Sequence, residues 1–166
     1  IYKAMLTTPI GPRDIIYGEL IWVSLKGAVM GLAVSAVVIG FGFLPLSVNI
    51  FGVLAVGFVV GTGCGALGLI SSAMIKNISQ FQTVYTVVIS PLFFFSGIFF
   101  PIDKLPAYLQ KVAHISPLYH GVLLNQQLLW QRVDRPSFFM HFGELVVLDL
   151  ILVLIAYRMV YKKLYS

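Results

Sequence analysis

The stretch that most limits what this chain can fold into starts as a membrane span and ends as something else. Residues 83–100 carry no charge, and at about 1.5 Å per residue they nearly cross a hydrocarbon layer of roughly 30 Å. The next residues bring in Asp103, Lys104, Gln110, Lys111 and His114, so no second crossing follows directly. Leu105, Leu109, Val112 and Ala113 still recur at the spacing of an amphipathic helix. Pro106 suits the first turn of that helix, Asp103 ahead of it can accept from the free amides, and Pro117 pushes Ser116 out of the helical region. Beyond it, Leu123, Leu124, Leu128 and Leu129 are mixed with Asn125, Gln126 and Gln127, a run too short and too polar to cross. Residues 101–130 therefore read as an outer, re-entrant region of two short helices.

Three further runs, residues 21–44, 50–75 and 138–161, are long and apolar enough to span. With 83–100 they make an all-α integral membrane protein of four spans, and 59% hydrophobic against 10% charged residues leaves no room for a water-soluble reading. Gly27 and Gly31 on the first span, and Gly57, Gly61 and Gly65 on the second, form small-residue stripes along which two helices can approach closely. Pro91 should kink the third span, because it removes a backbone donor and crowds the carbonyl four residues back. Residues 1–19 are broken by Pro9, Gly11 and Pro12, which predicts a short helix, a turn, and a new helical start near Asp14 that opens the helix of the first span. Lys3, Arg13, Lys76, Arg158, Lys162 and Lys163 fall on one side of this topology, so both ends and the Lys76 loop are expected in the cytoplasm, with 101–130 outside. The net charge of +5 is that flank rather than a nucleic-acid patch.

Chemical motifs are sparse. Gly63, Gly65 and Gly68 spell G-x-G-x-x-G inside an apolar span with no preceding strand, so helix packing explains them better than a dinucleotide. No P-loop occurs, and any ATP must be handled by another chain. His114, His120 and His141 lack the spacing of a metal-binding helix and have no cysteine companions, so no metal is expected, and Cys64 reads as packing. Ser90, Ser96 and Ser116 lie in no nucleophile turn. Lys26 and Glu144 lie near enough to span ends to reach water, whereas Asp149 lies deeper and should face the bundle and pair with a polar group. Phe93, Phe94, Phe95 and Phe99 form an aromatic belt that also offers a lining for a substrate path.

The run from Ser90 to Val122, SPLFFFSGIFFPIDKLPAYLQKVAHISPLYHGV, together with MLTTPIGPRDIIYGELIW near the start, resembles permease subunits of type-2 ABC exporters, in the branch of nodulation and polysaccharide exporters. The resemblance rests on Phe95 to Pro101, Leu105 with Pro106, and Pro117 to His120. It implies six spans, two of them expected before Ile1, in keeping with a first residue that is not methionine. It implies a cytosolic coupling segment in which Met5, Leu6, Thr7, Thr8, Pro9, Arg13 and Asp14 meet a separate ATPase, and an outer cap containing Pro101, Leu105, Pro106, Pro117 and His120. Two permease copies would work with an ATPase dimer that carries the ATP and Mg. This chain would hold no cofactor and would not itself be an enzyme. The cargo would be a glycan, a lipid-linked or amphipathic molecule, or a hydrophobic drug, moved across the bacterial inner membrane. Two other readings use the same residues: a proton-coupled transporter working through Asp149, and a structural membrane subunit that transports nothing.

Overall fold

A computed structural model describes residues 11–43, 49–75, 78–99, 102, 105–131 and 133–165. Its regular elements among these are helical: α1 (Pro12–Gly40), α2 (Ile50–Met74), α3 (Ile78–Val84), a π-helical turn (Tyr85–Ile89), α4 (Ser90–Phe94), α5 (Ala107–His114), α6 (Pro117–Leu129) and α7 (Arg135–Tyr165). Each boundary has a local cause. Pro12 occupies the first turn of α1, where its missing N–H costs nothing, and Asp14 Oδ2 accepts from the Gly11 amide at 2.9 Å. Gly42, at φ +75°, ends α1: its amide reaches Ile39 O and that of Phe43 reaches Val38 O, a left-handed cap that a Cβ would strain. Asn49 caps α2 by accepting from the Gly52 amide at 3.0 Å.

Central to the bundle is α2, which α1, α6 and α7 all contact. Ile16 and Leu20 of α1 pack with Ala66 and Leu69, Ser24 meets Thr62, and Gly31 lies against Val53, so α1 runs antiparallel to α2. Leu145 of α7 joins Val53 and Val56, Ala156 joins Ala66 and Leu69, and Lys163 reaches Ser72 and Ile75, so α7 runs parallel to α2. The start of α1 and the ends of α2 and α7 thus gather at one end, where Arg13 Nε donates to Tyr157 Oη at 2.9 Å. Lys163 Nζ donates there to the carbonyls of Ser72 at 2.8 Å and Ile75 at 2.6 Å, neutralising the free C-terminal carbonyls of α2.

Three helices are long and apolar enough to cross a membrane, over Arg13–Gly40, Ile50–Met74 and Arg135–Lys163. The first begins at Pro12, and the helical start expected near Asp14 does run on into the span, so residues 12–19 of the segment expected in the cytosol share one helix with the run expected over 21–44. Residues 1–10 lie outside the described residues. The stretch expected as a continuous span over 83–100 is built differently: helix runs through 78–94, opens into the π turn at 85–89 just ahead of Pro91, and gives way at Phe95 to a turn around Gly97 at φ +85°. The proline ring crowds the Val87 carbonyl and supplies no amide to it, and widening the ladder relieves both conflicts.

Candidate functional site: the half-length helix and the glycine seam

The small-residue stripes meet each other. A Cβ on Gly57 would lie 2.9 Å from Gly27 O, and one on Gly61 would lie 2.8 Å from Ser24 Cα and 2.9 Å from Val23 O. Such contacts are backbone against backbone, which only glycine permits. Gly31 and Gly65 flank this crossing less tightly, against Val53 and Val23 side chains at 3.6 and 3.3 Å. Ser24 Oγ and Thr62 Oγ1, 2.7 Å apart, add a hydrogen bond across the seam.

On another face of α2 lies α6. Leu128 stands over Gly52, Leu124 packs with Val53 and Val56, Gly121 lies against Val60, and Pro117 reaches Gly63. Gly63 is close to the midpoint of α2. The 13 residues of α6, about 20 Å at helical rise, therefore cover only half the length of α2. Leu105 packs with the buried cluster of Ile102, Ala113 and Tyr119, and Pro106 O accepts from the amides of Leu109 and Gln110 to open α5. Pro117 and His120 are both buried in α6, while Pro101 lies outside the described residues.

Of the aromatic belt, Phe93 meets Phe99 edge to face and Phe94 meets it at a tilt, with ring centroids 5.4 and 5.6 Å apart, and Phe95 packs on the Ile102 cluster. Phe99 also lines a cavity of about 350 Å³ with Ser96, Gly97, Tyr119 and Gln126. A second cavity, of about 360 Å³, opens between α6 and α7 beside His114, His120 and Glu144.

Sequence spacing did not reveal the polar cluster there, because its members come from three helices. His114 ends α5, His120 is on α6, and His141 and Glu144 sit one turn apart on α7. His120 Nδ1 lies 3.2 Å from His141 Nδ1 and 3.4 Å from Glu144 Oε2, and His141 Nδ1 lies 3.3 Å from the same oxygen. The other nitrogen, His120 Nε2, donates to the His114 carbonyl at 2.8 Å. Burial holds the His120 imidazole below its ordinary pKa, against the opposite pull of that carbonyl and of Glu144.

Asp149 is buried and faces the bundle at the level of Gly63, but the polar partner expected for it is not there. Neither carboxylate oxygen has a hydrogen-bond partner among the described residues. The nearby start of α6 is Pro117, which has no amide to offer. Ser116 Oγ, one residue earlier, is likewise buried without a partner among the described residues. Lys26 stays exposed and lies over the Trp22 ring at 5.3 Å.

The sequence profile of the ABC-2 type transporter family matches residues 1–130. Among curated proteins, the chain is 27% identical to Nodulation protein J of Rhizobium leguminosarum bv. viciae, over 98% of this chain and 62% of that protein. It is 31% identical to Nodulation protein J of Rhizobium meliloti strain 1021, over 73% of this chain and 46% of that one. The inner membrane transport permease YadH of Escherichia coli K12 is 26% identical over 72% of this chain and 46% of its own length. The chain thus spans roughly half to three-fifths of the relatives it matches. No solved structure matches it at the same stringency.

Proposed function

The chain belongs to the ABC-2 type transporter family of multi-pass membrane proteins, and we propose that it is the greater part of a permease subunit driven by a separate ATPase. The observation that carries this reading is the family match across residues 1–130, which runs from the segment ahead of α1 to the end of the re-entrant cap. The geometry is consistent with alternating access. A basic end formed by Arg13, Lys162 and Lys163 suits the cytoplasmic face, and a half-depth helix pair at the opposite end suits an exit cap. In this reading Met5, Leu6, Thr7, Thr8, Pro9, Arg13 and Asp14 meet the ATPase, and two permease copies enclose the path. The cargo is an amphipathic or glycan-bearing molecule carried outward across the inner membrane.

The test is copurification of the full-length subunit with an ABC ATPase from the same organism, followed by transport and hydrolysis assays in vesicles. Breaking up residues 9–14 should leave ATP hydrolysis running while transport collapses. Transport that continues with no ATPase bound would refute the reading. One observation favours a proton-coupled mechanism instead, namely the buried Asp149 with no hydrogen-bond partner among the described residues. Asp149→Asn would then abolish transport with assembly intact, whereas the ATP-driven reading expects transport to persist.

A further inference from the structure

The structure assigns a divalent transition-metal site, best suited to Zn²⁺, to His120 Nδ1, His141 Nδ1 and Glu144 Oε2 at the junction of α6 and α7. A carbonyl oxygen can only accept, so the 2.8 Å contact with His114 O places a proton on His120 Nε2. In the neutral ring Nδ1 therefore carries a lone pair. That lone pair faces a carboxylate oxygen 3.4 Å away, two acceptors with no proton between them. His141 can supply at most one Nδ1 proton to the triangle, which leaves part of it electrostatically unfavourable. A cation at its centre removes the conflict.

The dimensions agree with a metal. Zinc bound tetrahedrally at 2.0–2.1 Å requires its ligand atoms to lie about 3.3 Å apart, and the three separations here are 3.2, 3.3 and 3.4 Å. Two imidazoles with one carboxylate form a ligand set that zinc takes with a fourth position open. His114 borders that position, with ligand atoms of His114, His120 and Glu144 all within 4.8 Å of one another, and an inward shift of its ring would bring it to the metal. Water entering from the adjoining cavity is the other candidate. The bond from His120 Nε2 to the His114 carbonyl is the outer-shell contact that fixes tautomer and ring orientation in metal-bound histidines. His120 is 1% and His141 8% exposed, so the two imidazoles are held by packing, while Glu144 is half-exposed beside the cavity. Bound metal would pin the re-entrant α6 to α7.

Zinc titration of the full-length subunit in detergent tests this, with bound metal measured by elemental analysis after dialysis. One Zn²⁺ per chain is expected, together with a zinc-dependent rise in unfolding temperature. Glu144→Gln keeps the shape of a half-exposed side chain, and it should weaken affinity at least tenfold, as should His141→Gln. Asp134→Asn, an exposed acid away from the cluster, should bind like the parent. Co²⁺ in place of zinc should give a four-coordinate spectrum that Glu144→Gln loses. Absence of stoichiometric zinc in the parent protein, equal binding by the two ligand variants, or equal competition by Mg²⁺ would each overturn the site. The measurement involves no transport, so it stands or falls apart from the ATPase-coupled reading.

Discussion

Gly61→Ala isolates what the α1–α2 seam contributes. The new methyl would lie 2.8 Å from Ser24 Cα, 2.9 Å from Val23 O and 3.2 Å from Ser24 O, all backbone atoms that no rotamer change can move. Relief requires the helices to separate, which costs about 1–3 kcal/mol as overpacking and also lengthens the 2.7 Å bond between Ser24 and Thr62. Alanine regains up to about 1 kcal/mol in helix propensity, so the same substitution is needed where there is space. Gly68 lies on the same helix with nothing within 4 Å of the position a methyl would take, and Gly68→Ala records the propensity gain alone. The difference between the two variants is the cost of the seam. At about 2–4 °C per kcal/mol for a chain of this size, Gly61→Ala should unfold roughly 2–12 °C below Gly68→Ala. Thermal unfolding of detergent-solubilised protein, followed by tryptophan fluorescence, measures this directly. Equal midpoints, or a higher one for Gly61→Ala, would refute the close backbone approach.

Other perturbations probe other joints. A Cβ on Gly63 would collide with Asp149 Oδ1, so Gly63→Ala should destabilise, and adding Asp149→Ala should recover most of the loss; purely additive effects in that double-mutant cycle would count against the contact. Ser24→Ala with Thr62→Val should show a coupling of about 0.6 kcal/mol, read from the same midpoints. Lys163→Met removes two bonds to the α2 terminus at an exposed site, and it should lower stability by about 0.3–1 kcal/mol, less at high salt.

Local periodicity made the helices and the glycine seam legible, because both are fixed by residues three or four apart on one element. Gly57, Gly61 and Gly65 announce a flat face, and Gly27 and Gly31 announce its counterpart, before any coordinates. Pro91 announced a disruption but not its form, since a kink, a π turn and a break all satisfy a missing donor. The start of α1 was visible in the Gly-Pro turn and Asp14, which open the helix of the first span, although the uninterrupted apolar run that marks the crossing begins only at Ile21. Arg13 and Asp14 are accommodated by a tyrosine hydroxyl and a capping amide at the helix end. The histidine cluster was not legible at all. His120 and His141 lie 21 positions apart on different helices, and only the register of α6 against α7 brings their nitrogens together.

That register is set on α2, whose faces are sorted by side-chain size. Gly57, Gly61 and Gly65 admit the α1 backbone, Val53, Val56 and Val60 meet α6, and Phe51 and Phe58 point outward to lipid or to further helices. Helix α1, entering from the basic end, and α6, lying toward the opposite end, are therefore both docked on one rod, against surfaces too close-packed to slide independently. A rigid tilt of α1 must carry α2 with it through the Gly27–Gly61 crossing. Tilting α2 then displaces Leu124 and Leu128 of the cap, which are gripped by Val53, Val56 and Leu145. Substitutions that loosen the seam should therefore disturb the cap as well, and Gly61→Ala should raise hydrogen exchange in α6 although no atom of α6 is among the close neighbours of Gly61.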